Sequence, residues 1–377
     1  MNKRNRTIVY LLLCILPLAG ILFHYLYLRN AIVSAYEGNP DHFIKFILDA
    51  LYPRFYIEKD RFDINFFLSK ADQVIYRFAT IYYFIFLLIY LYQTNNFLKI
   101  KIEKLFYTET TSRNIDVLRI LFFSYCLYLS YEMLDELIAK QSLKLFYKPI
   151  YLLSFFHIPF PSYSVILIIG ALWYFLNGLI ILNIRPILNS CLSLVIFILI
   201  QCWLFSFEKL EHGYATFTYA FMLLPFLFEE KLKNHSSFGS WSLQLIKITI
   251  AMVYFLSGLE KILISQLSWV KPDTLKTYLS FHETDLSKIV IQSDLLCSLL
   301  SVGALLLQLS FIFILFLPRY KWIWIIGGVL FHTGTLVLMN IGILLNPWIL
   351  VYIFYIDWTK VYDFFCYNFK KLNLRSS

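Results

Sequence analysis

Charged side chains are scarce in this sequence: Asp, Glu, Lys and Arg make up 15% of its 377 residues, where a soluble domain carries about a quarter. That shortage excludes an ordinary water-solvated domain as the setting for most of the chain. Paired cysteines are missing as well. Cys14, Cys126, Cys191, Cys202, Cys297 and Cys366 are scattered and none forms a CxxC, which argues against a disulfide framework or a structural zinc site. No GxxxxGK[ST], GxGxxG, HExxH or GxSxG tract occurs, so the common phosphate, dinucleotide, zinc-protease and serine-hydrolase signatures are absent. The acidic stretches 58–63 and 132–136 lack the spacing of a metal loop, and no metal is expected.

What remains is apolar and aromatic. Hydrophobic residues make up 59% of the chain and aromatics 19%, including 28 Tyr and 8 Trp. The mean hydropathy is +0.66. Many of these rings stand near the ends of apolar runs, the position amphipathic rings take at a bilayer interface. The net charge of +9 comes from lysines and arginines placed between and beside those runs. This pattern fits a lipid bilayer as partner and not a nucleic acid.

A helix needs about 20 apolar residues to cross a bilayer. Runs that approach this length lie at 8–28, 74–92, 117–134, 163–182, 187–207, 213–228, 243–263, 295–317, 322–339 and 341–357. The sequence therefore predicts an all-α fold, a polytopic integral membrane bundle of about ten transmembrane helices. The first run follows Lys3, Arg4 and Arg6 and carries no formal charge. It outlasts a signal-peptide core of about 7–15 residues and is expected to be a retained span. Lys and Arg, above all in the 318–321 connection and the tail, place both termini in the cytoplasm of a multi-pass cell-membrane protein.

Three parts follow along the chain. Residues 1–114 are expected to form a two-helix extension with an outward-facing insertion, 29–73, folded as short helices. Residues 115–358 form a transmembrane core, and 359–377, alternating Lys with aromatics, form an interfacial cytoplasmic tail.

Ionisable groups inside such runs are costly and call for a reason. Arg77 and Lys247 lie near helix ends and can snorkel to headgroups; Arg119 can do the same or pair with a lipid phosphate. Glu208 and His212 are four apart and share a face on a helix, either in a solvated outer loop or at the polar mouth of a cavity. In Tyr254–Lys261, Glu260 and Lys261 close an apolar span that more apolar residues follow. A lysine stripped of water becomes a usable base, and an ion pair that fixes packing is the other reading. His332 lies among Gly327, Gly328 and Gly334, as a hydrogen-bonded packing residue or as part of a pocket. Helix counting puts His212, Lys261 and His332 at one outer depth.

These residues also carry a resemblance. Val253-Tyr254-Phe255-Leu256-Ser257-Gly258-Leu259-Glu260-Lys261, followed by Trp269, resembles a signature of the horizontally transferred transmembrane (HTTM) family. That family is related to vitamin K-dependent gamma-carboxylase and to proteins similar to sporulation-delaying protein B. Glu211-His212-Gly213-Tyr214 and the stretch from Phe331-His332 to Gly342 resemble two further family helices in the same order, over roughly residues 115–357. The resemblance implies a lyase/oxygenase-like activity driven by a reduced quinone of menaquinone or vitamin K type. Lys261 would then be the base, His212 an acid/base helper, and His332, Tyr254 and Glu260 residues of the cofactor pocket. Glu260 stands where animal carboxylases carry a basic residue. The resemblance also implies a small secreted peptide as partner. A different class stays open: a non-enzymatic accessory, immunity or transport protein for a toxic peptide.

Overall fold

The computed structural model describes residues 15–52, 54–207, 213–233, 237–282, 284–342 and 346–373. Helices make up nearly all of it. In order they are α1 (Ile15–Tyr36), α2 (His42–Leu51), α3 (Phe55–Glu58), α4 (Ile64–Thr94), α5 (Asn96–Phe106) and α6 (Ser112–Ala139). Then come α7 (Tyr151–Phe155), α8 (Tyr163–Ile181), α9 (Pro186–Phe205), α10 (Ala215–Lys233), α11 (Trp241–Ser265), α12 (Pro272–Phe281) and α13 (Asp285–Ile291). The chain closes with α14 (Asp294–Ser310), α15 (Lys321–Met339), α16 (Pro347–Leu350) and α17 (Trp358–Asn373). Two short strands, β1 (Thr108–Thr111) and β2 (Ser237–Ser240), pair antiparallel with Thr108 opposite Ser240. Among the described residues, 8 helices are long and apolar enough to cross a membrane.

The boundaries differ from the expected ones for identifiable reasons. The first helix does not stop at Leu28; it continues to Tyr36 because Asp72 of α4 neutralises Arg29 within it. The insertion 29–73 does form helices, with Asp41 capping α2 through the Ile44 amide and Asp63 capping α4 through the Phe66 amide. The Ile44 amide and the Tyr27 hydroxyl hold the Asp41 carboxyl below the usual carboxylate range. Helix α10 has the length of a span, but its last turns hold Glu229, Glu230, Lys231 and Lys233.

The chain divides into two compact units. One comprises Met1–Leu105, Leu134–Ile166 and Ile198–Lys209. Its best-buried cluster gathers Ala31 and Ala35 of α1, Ile44 and Leu48 of α2, Phe55 of α3 and Phe67 of α4. The other comprises Phe106–Met133, Leu167–Phe197 and Leu210–Ser377. Its core is aromatic: Phe122 of α6 stacks on Phe217 of α10 at 4.6 Å and meets Phe221 edge-on. Arg119 of α6 is buried here. It donates to the carbonyls of Ile180 (2.5 Å) and Ile181, which end α8, and to Asp116 at 2.9 Å. Lys231 donates to the same carboxylate at 2.5 Å. Arg119 therefore caps a helix instead of reaching for headgroups, using a planar donor set that suits several acceptors.

The last apolar run, 341–357, is not one helix. Asn346 accepts from the Trp348 amide, Pro347 starts the short α16, and a 3₁₀ stretch, Val351–Tyr355, follows. It runs back along α15 from end to beginning. Trp348 stacks on His332, Tyr352 lies against Gly328, and the Tyr355 carbonyl accepts from Lys321 Nζ at 2.8 Å. Irregular backbone of this kind is tolerated among apolar helices only where protein surrounds it, and Val351, Tyr352 and Phe354 are all buried.

Candidate functional site

Helix α11 carries the residues the sequence singled out, and its start is firmly anchored. The Glu230 carboxylate accepts from Ser240 Oγ (2.6 Å), the Trp241 amide (3.1 Å) and Ser242 Oγ. Ser240 in turn caps the helix through the Leu243 amide. From that anchor, Tyr254, Gly258 and Lys261 follow at intervals of four and three and share one face.

Tyr254 is buried at the middle of the helix. Its hydroxyl lies 2.5 Å from His332 Nε2 and 2.6 Å from the Tyr352 hydroxyl. Its ring stacks on Phe311 at 4.2 Å, and the His332 ring stacks on Trp348 at 5.5 Å. Phenol, imidazole and phenol thus form one hydrogen-bonded set linking α11, α15 and the returning segment. The Tyr254 hydroxyl thus joins His332 Nε2 and the Tyr352 hydroxyl in one network. Gly328 makes the approach feasible, since a Cβ there would fall 2.0 Å from the Tyr352 oxygen. Gly258 serves α11 and α14 in the same way: its Cβ would lie 3.0 Å from Gln308 Cβ.

Replacing Tyr254 by Phe keeps the ring but leaves His332 Nε2 and the Tyr352 hydroxyl without this partner. A buried polar group deprived of its bond costs about 1–3 kcal/mol. Tyr254→Phe is therefore expected to lower the unfolding free energy by that amount, read as a lower unfolding midpoint in detergent, and an unchanged midpoint would show that the set contributes nothing.

Lys261 stands apart. It lies seven residues beyond Tyr254, about 10 Å further along the helix. Its Nζ donates to Ser257 Oγ at 3.0 Å and lies 4.9 Å from the centre of the Trp269 ring, an ammonium–aromatic contact. The Trp269 ring meets Tyr278 of α12 at 5.9 Å. Lys261 and Trp269 are half-buried, whereas Glu260 is exposed. Helix α12 is tied back to α14 by Lys276, whose ammonium the Asp294 carboxylate holds above the usual lysine range.

Among the five candidates, the structure joins His332 to Tyr254 and sets Lys261 on the same helix face at a different level. Glu260, the next residue, is exposed and interacts electrostatically with Lys261. His212, with Glu208, lies outside the described residues. Sequence reasoning did not single out Tyr352, Trp348 or Phe311, the partners that complete the aromatic set. The available signal was that two of them fall in the last apolar run, beside the histidine-bearing one. No family model, curated protein or solved structure matches the chain.

Proposed function

We propose that this chain is a polytopic integral membrane protein of the HTTM type. In this reading it carries out a carboxylase-like, quinol-linked modification of a small molecule or secreted peptide, with Lys261 as the base at an outward-opening site. The membrane part of the reading is supported by the exposed apolar surface of α4. Only 6% of its most apolar window is buried, and Val74, Phe78 and Ile81 are all more than half exposed. A helix apolar all round needs lipid or protein about it. With eight helices long and apolar enough to cross a membrane, α10 and the broken return of 346–357 would make about ten passes, an even count that would put both termini on one side, taken as the cytoplasmic one from the Lys and Arg distribution.

The observation that carries the catalytic part is Lys261 itself, whose Nζ stands on an apolar helix face beside a serine and an indole and half open. As the free amine it has the lone pair that would take a hydroxyl proton from an aromatic diol such as a quinol, which would supply reducing equivalents when bound. Lys261 and Trp269 are the residues that would hold it. Tyr254 and His332 are assigned to the wall, because their polar atoms already serve each other and Tyr352. His212 keeps its proposed role as acid/base helper. A second reading, a non-enzymatic accessory of a secreted peptide, draws on the same aromatic set, in which His332 Nε2 and the Tyr254 and Tyr352 hydroxyls are bonded to one another.

The test uses the full-length protein in lipid nanodiscs with a vitamin K-type hydroquinone, oxygen and bicarbonate, following hydroquinone consumption by chromatography. The wild type is expected to consume it, and Lys261→Met to lose about a hundredfold or more of the rate, the scale of a lost general base. Equal consumption by the two proteins, or none by either above the empty-nanodisc control, removes Lys261 as the base.

A further inference from the structure

The unit that contains α1 and α4 holds a cluster of ionisable groups that Lys261 does not touch. His24 of α1 is wholly buried. Its Nε2 lies 2.7 Å from Asp72 Oδ1 of α4. Arg29 Nη1 donates to both oxygens of the same carboxylate, at 2.6 and 2.5 Å. Two cation-forming groups thus share one acid between two helices that are long and apolar enough to cross a membrane.

A local change of helix pitch makes the sharing feasible. Residues His24–Leu28 form a π turn in which the Arg29 amide bonds to the His24 carbonyl, five residues back. In an α-helix, residues five apart point about 140° away from each other. The wider turn brings His24 and Arg29 to one side, where both reach Asp72. Single π turns within helices recur at functional sites.

The tautomer of a neutral ring follows from the bonds. Asp72, already paired with Arg29, accepts from His24, so Nε2 carries the hydrogen and Nδ1 of a neutral ring is a bare lone pair. That Nδ1 is buried and has no hydrogen-bond partner among the described residues. It is a proton acceptor in a buried site next to a carboxylate that orients the ring.

We propose that His24, Asp72 and Arg29 form a proton-binding centre in this unit, in which a proton taken up at His24 Nδ1 displaces Arg29 from Asp72. In the neutral state the charges of Arg29 and Asp72 cancel. Uptake of a proton from water forms one Nδ1–H bond, breaks no covalent bond in the protein and adds one positive charge. The imidazolium then competes with the guanidinium for the carboxylate. Arg29 is the partner that leaves, because its side chain is 30% exposed while that of His24 is 0%. Among the described residues, Asp72 of α4 and Tyr25 of its own helix lie against His24, and Arg29 shares the Asp72 carboxylate. The Tyr25 and Tyr76 hydroxyls pair at 2.6 Å, and the Arg29 guanidinium lies over the Tyr25 ring at 5.5 Å. Ionisable groups of this kind on apolar helices mark proton relays and coupled transport, so the unit has the parts for a proton-coupled step of its own, independent of Lys261.

The test is nitrogen-15 NMR on full-length protein in nanodiscs, labelled at histidine and arginine, while the pH is lowered through the range in which histidines titrate. The His24 signals are assigned by their loss in His24→Gln, and the Arg29 signals by their loss in Arg29→Lys. The proposal expects His24 Nδ1 to gain a proton in step with the loss of the slowly exchanging Arg29 side-chain signal, and His24→Gln to keep that arginine signal throughout. An Arg29 signal indifferent to pH in the wild type overturns the proposal. So does one lost equally in wild type and His24→Gln, which would make Asp72 the group that titrates. Should His24→Gln fail to fold, His24→Asn supplies the assignment and the wild-type spectra decide: Nδ1 without a proton at the pH where Arg29 is released ends the proposal.

Discussion

Gly328→Ala is expected to destabilise the protein by about 3 kcal/mol or more, at the upper end for overpacking a buried contact. The new methyl would fall 2.0 Å from the Tyr352 hydroxyl and 2.5 Å from its ring carbon. Tyr352 cannot yield easily, because its oxygen is bonded to Tyr254 and its ring lies against Phe311. Either the set of Tyr254, His332 and Tyr352 breaks or α15 moves away from the returning segment. Gly334→Ala on the same helix is the control, since a Cβ there meets nothing within 4 Å. Thermal unfolding of the two variants side by side checks the contact, and equal midpoints would show that Tyr352 does not lie where it is placed.

Arg119→Met is expected to be comparably severe, about 3–5 kcal/mol, as when one member of a buried ionic network is removed. The loss orphans the Ile180 and Ile181 carbonyls at the end of α8 and leaves Asp116 with Lys231 alone. Arg119→Lys should not rescue it, because one ammonium does not reproduce a planar fork reaching two carbonyls and a carboxylate. The contrast is Arg113→Met. That arginine is paired with Asp363, but its side chain is 54% exposed, and an exposed pair contributes about 0–1 kcal/mol. Denaturation midpoints of the three variants decide the point, and a mild Arg119→Met would place the guanidinium at the headgroups after all.

The helices were legible because apolar runs of the right length admit little else. Their ends were less so, because distant partners set them. Arg29 reads as a terminus until Asp72 is known to neutralise it. Likewise 341–357 reads as a span by composition, whereas Asn346 and Pro347 restart the chain there and the short helix and 3₁₀ stretch that follow pack beside α15. The candidate site was legible one residue at a time. Tyr254 and His332 each stood out, but their mutual bond spans 78 positions and its Tyr352 extension 98, beyond any local pattern. His24 was hidden by counting as neutral inside an uncharged run, and Asp72 by sitting at the edge of a polar insertion.

In the proposed division of labour along one helix, Tyr254 and its partners hold α11 in place, and Lys261, about 10 Å beyond, is the group that acts. The most direct test measures melting temperature and hydroquinone consumption together for Lys261→Met and Tyr254→Phe in the same nanodiscs. The account predicts that Lys261→Met melts with the wild type yet no longer consumes hydroquinone, while Tyr254→Phe melts early. A Lys261→Met protein that melts as early as Tyr254→Phe, with hydroquinone consumption equal to the wild type, would contradict it and leave Lys261 a packing residue.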